Sequence, residues 1–316
     1  MDPPPLADAP FDDQSADTVL RSTTSNVDFL VNRHLLAFSS LFFQTMFSLP
    51  QGNVEQEMRD HRPIIRVEED RETLGMLLGY CYPKWLVGDR LVPSDTIGIL
   101  KVHHAAQKYL MDGVEHRVRQ DLVSKRMLAE EPLRIFAVAV QHGYLEEARI
   151  AARETLRLPV GSSEYVPELE DITGGDHYRL LLYHKLCGER AEDVVKDFCW
   201  VTNESFVWFE CAECRRNPAA NAPVRWIISG RRPKWVFSRW FLEYMDWVIK
   251  ALTERPSGTV ATDMELFDAT MANASLCRTC FQGGRALKDF REFTSALARE
   301  VDRATSEVGI EIRSRA

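Results

Sequence analysis

Two cysteine pairs have the residue type and spacing of metal ligands. They are Cys211-Ala-Glu-Cys214 and Cys277-Arg-Thr-Cys280. Each C-x-x-C pair can present two thiolates to one ion, and tetrahedral Zn²⁺ prefers four such ligands in closed structural sites. Residues 215–276 separate the pairs, which is a longer gap than the roughly 15–20 residues of common zinc ribbons. The gap does not forbid closure, because the entropy cost of closing a loop grows slowly with its length.

Three interpretations of these pairs are open from the residues alone. A structural zinc site is favoured, since both pairs fall in one short Trp-rich region. Unligated core thiols come second, because free Cys often behaves as a small buried hydrophobe. A redox-active pair comes third, since no thioredoxin-like strand–helix–strand pattern surrounds either pair. Four protein ligands leave zinc no open position for water or substrate, so such an ion would hold the domain together and do no chemistry.

A basic segment lies between the two pairs. Seven Lys and Arg residues and a single acidic residue, Glu213, occur from Cys211 to Trp240, in a chain whose net charge is −8. One interpretation is phosphate contact, with Trp226 and Trp235 placed to stack on bases. The residues assigned to that contact are Arg215, Arg216, Arg231, Arg232 and Lys234. A solvated face, or arginines lying over tryptophans within the domain, is favoured, because the segment matches no recognised nucleic-acid fold.

The bulk composition is that of a globular protein of about two domains. The chain has 316 residues, of which 45% are hydrophobic and 27% charged. A charge of −8 argues against nucleic-acid binding by the whole chain. The sequence contains no run of roughly 18 apolar residues, so it predicts no membrane span. The acidic, Pro-rich start lacks the features of a signal peptide. We therefore expect an intracellular protein of nucleus or cytoplasm with reduced cysteines, of which Cys81, Cys187 and Cys199 are predicted to be core residues.

No catalytic constellation is present in the sequence. It contains no phosphate-binding Gly-rich loop, no G-x-S-x-G elbow and no H-E-x-x-H pair. The sequence therefore predicts a protein that is not an enzyme.

The cysteine pairs lie in a half of the chain whose patterns are helical. Six of the seven tryptophans fall there. Helical spacing predicts one or two helices over His177–Cys199, a short helix over Met264–Ala274 and a long one over Arg285–Ile310. A mainly helical domain over residues 160–316 is thus expected to carry the cysteines, after a linker that follows Leu158-Pro159.

The first half begins with a different pattern. Two short β-branched runs, Thr18-Val19-Leu20 and Val27–Val31, flank a polar turn cluster and predict a hairpin. Apolar residues at helical spacing follow up to Phe47, and residues 63–67 predict a third strand. Asp70 or Glu69 is placed to cap the next helix. The unit is therefore predicted to be a small sheet covered by helices.

Three motifs in this half carry a resemblance to a known family. They are Ala16-Asp17-x-Val19-Leu20, Val27-Asp28-Phe29-x-Val31 and Leu36-x-x-x-Ser40-x-x-Phe43-x-x-Met46-Phe47. The stretch from about Ala16 to Gly113 resembles a BTB/POZ domain, and the helices as far as Leu158 resemble the extension that many such domains carry. With Leu49-Pro50 and Tyr82-Pro83, the chain is most similar to the BTB proteins abundant in fungi.

The resemblance implies an interaction module without a catalytic centre, which associates with itself or docks to a cullin-type ubiquitin-ligase scaffold. The partner surface would be framed by the apolar helices around residues 42–47 and 109–114. Its implied interface residues are Asp17, Arg33, Phe43, Met46, Phe47 and Tyr109. The family usually has His-Lys or His-Arg where this chain has Asn32-Arg33. In some family members this cation and an acidic residue lie together in a partly buried pocket that helps form the partner surface. Arg33 keeps the cation of that pocket, and Asp17 keeps its acidic residue.

The predicted organisation has four regions. Residues 1–15 form a disordered lead, 16–113 the BTB/POZ fold, 114–159 a helical extension and 160–316 a helical Cys- and Trp-rich domain with a zinc site. The fold class is α+β, a small mixed sheet with helices, followed by a mainly α-helical domain. The functional hypothesis is an adaptor for a cullin-type ubiquitin ligase, with one structural Zn²⁺ and neither a membrane nor a small-molecule substrate. The alternatives are a transcription or chromatin regulator whose basic half contacts nucleic acid, and a protein used only for assembly.

Overall fold

The computed structural model describes residues 3–49, 57–88, 91–159, 165–197, 200–201, 206–216, 224–226 and 235–313. The contacts divide the chain into an N-terminal unit, Met1–Glu131, and a C-terminal unit, Pro132–Ala316. The four-region organisation deduced from the sequence stays a prediction. None of the helices in the described ranges combines the length and hydropathy that crossing a membrane requires.

The N-terminal unit is built on a small mixed sheet. Its strands are β1 Thr18–Ser22, β2 Val27–Val31, β3 Met58–Arg59 and β4 Arg62–Val67. The order across the sheet is β2-β1-β4-β3, with β1 antiparallel to β2 and parallel to β4. The predicted hairpin and third strand are present, and the predicted α+β class with a small mixed sheet is confirmed.

Short helices cover this sheet. They are α1 Arg33–Ser39, α2 Leu41–Ser48, α3 Arg71–Cys81, α4 Lys84–Val87, α5 Thr96–Lys108, α6 Asp112–Leu122 and α7 Lys125–Glu130. Side-chain caps begin four of them, and at α1 the Asn32 side chain accepts from the His34 N–H. Ser40, Asp70 and Asp95 accept hydrogen bonds from the backbone N–H three residues later, which satisfies donors that the first helical turn leaves free.

Residues 3–15 lie against the outer edge of β2. The Pro5 carbonyl accepts from Asp28 N–H, and the Phe11 carbonyl accepts from Leu30 N–H at 2.8 Å. Ala7 and Phe11 are buried. This arrangement differs from the disordered lead predicted for the segment. The four prolines prevent regular pairing within the segment, but the backbone of β2 supplies hydrogen-bond partners to Pro5, Ala7 and Phe11.

The C-terminal unit is mainly helical, as predicted. Its helices are α8 Pro132–Gln141, α9 Leu145–Thr155, α10 Gly174–Lys196, α11 Val207–Glu210, α12 Ala212–Arg216, α13 Arg239–Glu254, α14 Met264–Ser275, α15 Arg278–Phe281 and α16 Arg285–Ser306. A short ribbon, β5 Val224–Trp226 with β6 Trp235–Phe237, pairs antiparallel.

An aromatic cluster forms the core of the C-terminal unit. The Trp208 ring stacks on Phe241 with centroids 4.7 Å apart and meets Phe293 edge-on at 5.5 Å. Phe290 packs edge-on against Tyr244 at 4.7 Å. Aromatic side chains bury a large area each, so this cluster is what holds α11, α13 and α16 together beside the cysteine pairs.

A buried histidine in this unit predicts an acid-sensitive fold. Thr155 Oγ1 donates to the Ala152 carbonyl and lies 2.9 Å from His184 Nε2, so the hydroxyl accepts from the neutral imidazole. Burial lowers the pKa of His184 to about 4. The unfolded chain, with a pKa near 6.5, binds this proton first as the pH falls. Stability is therefore fully present above about pH 6.5 and decreases toward pH 4.

We expect the free energy of unfolding to drop by about 2 kcal/mol between pH 7 and pH 5 through His184 alone. Urea unfolding at the two pH values measures this drop. The difference should shrink by that amount in His184→Gln. An equal pH dependence in wild type and His184→Gln would contradict the prediction.

Candidate metal centre and docking surface

The two cysteine pairs form two knuckles of the same design, here called the first knuckle (211–214) and the second knuckle (277–280). Cys211 directly precedes α12, and Cys277 directly precedes α15. Cys211 Sγ accepts from the Cys214 N–H at 3.4 Å, and Cys277 Sγ accepts from the Cys280 N–H at 3.5 Å. In each knuckle the first sulfur caps a short helix whose third residue is the second cysteine, so both sulfurs lie at one end of that helix.

The fold brings the four sulfurs into one cluster. Cys211 Sγ lies 3.5 Å from Cys277 Sγ, and Cys214 Sγ lies 3.5 Å from Cys280 Sγ. All four ligand atoms fall within 4.8 Å of one another, and all four residues are buried. Four sulfurs at about 2.3 Å from a tetrahedral zinc would lie about 3.8 Å apart, and a disulfide would need about 2.05 Å. The two pairs therefore meet in the fold, and the cluster has the geometry to hold a metal ion.

Burial controls the charge of these thiols. Burial raises the pKa of Cys214 to about 12, and it also raises the pKa of Cys277 and Cys280. Burial opposes the ionisation of Cys211 as well, but hydrogen bonds from the Cys214 N–H and the neighbouring thiols outweigh it and lower that pKa. Four thiolates so close together need a cation to balance their charge, and a divalent metal would supply it.

A carboxylate to which the sequence assigned no role at the site, Glu213, links the two knuckles. Glu213 Oε2 accepts from Thr279 N–H at 3.0 Å and from Thr279 Oγ1 at 2.6 Å, and it lies 3.5 Å from Cys277 Sγ. These hydrogen bonds, led by that of the Thr279 hydroxyl, lower the pKa of Glu213. Glu213 and Thr279 occupy the same position in their C-x-x-C motifs. That equivalence was visible in the sequence, but the contact between them was not.

The other described cysteines stand alone, as the sequence predicted. Cys81 Sγ contacts the Leu77 carbonyl at 3.5 Å and Cys187 Sγ the Thr305 carbonyl at 4.0 Å. Burial raises the pKa of each to about 11, so both are packing residues. Cys199 lies outside the described residues.

The residues assigned to nucleic-acid contact fall mostly outside the described residues. Arg231, Arg232 and Lys234 lie there entirely. Arg215 and Arg216 end helix α12, but their side chains are not described. The assignment stays a prediction from the sequence.

The interface residues predicted in the N-terminal unit surround one aromatic group. The buried rings of Phe43 and Tyr109 stack with centroids 5.2 Å apart, and half-exposed Phe42 lies 5.6 Å from Tyr109. Tyr109 Oη donates to Glu69 at 2.5 Å, and burial is the main reason that its pKa is raised. Phe43 and Tyr109 are therefore the buried part of this aromatic group, and Phe42 is its exposed part.

Asp17 and Arg33 meet in a different way from the side-chain pocket that the family resemblance suggested. Asp17 Oδ1 accepts from the backbone N–H of Arg33 at 2.8 Å. The Arg33 guanidinium lies 4.9 Å from the centre of the Phe47 ring. Met46 and Phe47 are half-buried at this flank, so Arg33 covers the edge of the aromatic group.

Four large apolar side chains on α1, at the start of α2 and in the turn after α5 are exposed, and we call them the docking surface: Phe38, Leu41, Phe42 and Leu110. Phe38 is 92% exposed and Leu110 is 51% exposed. The Leu41 N–H donates to the Leu110 carbonyl at 3.2 Å, which joins the start of α2 to the turn after α5. Leu110 has a φ of 50°, a left-handed conformation that costs a residue with a side chain roughly 1–2 kcal/mol.

The comparisons with known proteins agree with this architecture. Residues 9–126 match the BTB/POZ domain, and that range contains the whole mixed sheet with α1 to α6. No curated protein matches the chain. A BTB/POZ domain is a module for protein–protein interaction, so the chain carries such a module in its N-terminal unit.

Proposed function

We propose that the chain is a non-enzymatic adaptor. Its BTB/POZ domain docks a partner protein through the docking surface, and its C-terminal unit, held by one structural Zn²⁺, binds the target. The observation that carries the proposal is the exposure of Phe38, Leu41, Phe42 and Leu110.

The energetics of this surface favour a partner. Burying a large apolar side chain stabilises a complex by about 1.5–3 kcal/mol, and Phe38 and Leu110 are both available for that gain. Leu110 also occupies a backbone conformation that suits Gly or Asn better. Strained residues of this kind tend to occur where a protein binds something, and a leucine here provides apolar contact area that a glycine would lack.

The partner that fits is a protein with an apolar surface of its own, either a cullin-type scaffold or a second copy of the chain. Arg33, Met46 and Phe47 would flank the contact, with Asp17 holding the backbone of Arg33. Phe43 and Tyr109 would keep the surface in shape from beneath.

Zinc is the metal that best suits the cysteine cluster. Four soft sulfur ligands in a tetrahedral arrangement favour zinc or an iron–sulfur centre over hard cations. Backbone N–H groups donate to Cys211 and Cys277, which would balance part of the negative charge of a zinc–thiolate site. With all four positions filled by protein, the ion would stabilise the fold and would not act on a substrate.

The second candidate function is nucleic-acid contact by Arg215, Arg216, Arg231, Arg232 and Lys234. The excess of seven basic residues over one acidic residue from Cys211 to Trp240 supports it. Phosphate contacts make binding fall steeply with salt, so retention of the full chain on DNA at low salt tests it. Lack of retention would exclude this function.

The docking surface is tested best with Leu110→Gly. Glycine accepts the left-handed backbone, so we expect the stability of the protein to stay the same or to rise by up to about 1 kcal/mol. Binding to a purified cullin-type scaffold, or self-association measured by light scattering, should weaken about tenfold or more, because the apolar contact is lost.

Trp85→Ala is the matched control. Trp85 is also a highly exposed apolar residue of the same domain, but it lies on α4. Its removal should leave both associations unchanged. The docking proposal fails if Leu110→Gly and Phe38→Ala bind each partner as tightly as wild type does.

A further inference from the structure

We infer that Glu213 is a positioning residue, which aligns the second knuckle with the first so that the four sulfurs converge before a metal arrives. The inference rests on the proposed metal site and adds how the chain builds it. Its basis is the bridge from Glu213 Oε2 to the N–H and the hydroxyl of Thr279.

Only the two cysteines of the second knuckle are buried, and Arg278 and Thr279 between them are exposed. Helix α15 has four residues, too few to be stable without tertiary contacts. It is followed by Gly283 and Gly284, both with positive φ, and the residues from Phe281 to Arg285 are exposed. Leu276, just before Cys277, is exposed as well. A cross-link to the first knuckle would therefore add to core packing in holding Cys277 and Cys280 at a defined distance from Cys211 and Cys214.

Glu213 supplies that cross-link at the point of contact. It lies between Cys211 and Cys214, so its carboxylate moves with the first pair of sulfurs. Thr279 lies between Cys277 and Cys280, so its two donors move with the second pair. The bridge therefore ties one pair of ligands to the other directly, without passing through the long chain between them. Hydrogen-bonding partners that orient metal ligands typically contribute 10–100-fold to metal affinity.

The test uses the full chain, stripped of metal with a chelator and titrated with Zn²⁺ against a chromophoric competitor. Glu213→Ala removes the bridge and is expected to weaken Zn²⁺ binding 10–100-fold. Glu213→Gln keeps an oxygen that accepts both bonds from Thr279, so its affinity should stay within about threefold of wild type. Glu265→Ala, which removes an exposed carboxylate from the first turn of α14, is the matched control and should bind as wild type does.

Two further measurements separate positioning from general damage to the fold. Absorption of the Co²⁺-loaded protein should show tetrahedral thiolate coordination in wild type and, at saturating metal, in Glu213→Ala. In the metal-free protein, a thiol reagent should react faster with Cys277 and Cys280 of Glu213→Ala. Thr279→Val keeps the N–H donor and loses the hydroxyl, so it should give a smaller loss of affinity. This variant decides the question if Glu213→Ala fails to fold.

The outcomes distinguish the two proposals. A wild-type chain that binds no Zn²⁺ or Co²⁺ overturns the metal site and the inference with it. A wild-type chain that binds metal while Glu213→Ala stays within threefold of it overturns the inference alone. The inference also fails if Glu213→Gln loses as much affinity as Glu213→Ala, because the effect would then come from charge and not from the bridge.

Discussion

Cys280→Ala is expected to abolish stoichiometric metal binding and to lower the free energy of unfolding of the C-terminal unit by about 4 kcal/mol. Cys280 is fully buried, and its sulfur lies 3.5 Å from that of Cys214. A metal bound only by the folded state adds about 4 kcal/mol when its free concentration is a thousand times the dissociation constant. Elemental analysis of the purified chain and chemical unfolding with and without a chelator measure the two effects.

Cys187→Ala is the control for the loss of a buried thiol. Cys187 is equally buried, and its sulfur contacts a backbone carbonyl instead of the cluster. This variant should keep one metal ion per chain and lose only about 1 kcal/mol to the small cavity. Chelation should destabilise Cys187→Ala and wild type, and leave Cys280→Ala unaffected. A metal content well below one ion per wild-type chain would reject the zinc proposal.

Asp28→Ala is expected to destabilise the N-terminal unit by about 3–5 kcal/mol, because it removes the buried carboxylate that pairs with both Arg21 and Arg59. The Asp28 side chain is fully buried on β2. It accepts from Arg21 Nε at 2.6 Å and from Arg59 Nη1 at 2.5 Å, and both arginines are largely covered. Thermal and urea unfolding measure the loss.

Glu57→Ala is the matched control for Asp28. Glu57 pairs with Arg21 and Arg66, but its side chain is 41% exposed, so its removal should cost far less stability than the removal of Asp28. Burial opposes the ionisation of Asp28, yet the two guanidinium groups outweigh it and lower its pKa. The contribution of this carboxylate is therefore present above its unfolded pKa, near 3.9, and is lost as the pH falls through the lower folded value. Similar losses for Asp28→Ala and Glu57→Ala at pH 7 would contradict this account.

The sequence predicted best the features that depend on neighbours along the chain. Asp70 caps α3 as predicted, and α14 and α16 begin at the predicted residues. The predicted helix over Arg285–Ile310 ends at Ser306. In α10, apolar residues occupy two faces. Leu181, Leu182 and Leu186 share a face by helical spacing, but the fold exposes them and buries Leu180, Tyr183 and Cys187. Periodicity alone does not decide between two apolar faces, because burial depends on what packs against the helix.

The candidate site shows the same limit. The C-x-x-C spacing predicted which residues would be ligands, since the chemistry of thiols and zinc is local. The bridge from Glu213 to Thr279 joins residues far apart in sequence, so no local pattern indicates it. The ion pairs of Asp28 also depend on the strand order, because Arg59 reaches it from β3 at the other side of the sheet.

The segment ahead of β1 has a consequence for how the protein behaves in solution. β2 is the last strand on its side of the sheet, and residues 5–11 occupy its outward-facing hydrogen-bonding groups. An uncovered strand of this kind readily recruits extended segments of other molecules and promotes aggregation. We therefore expect proteolytic removal of the first fifteen residues to make the protein prone to aggregation through the edge of β2, even though every helix and strand would still be intact.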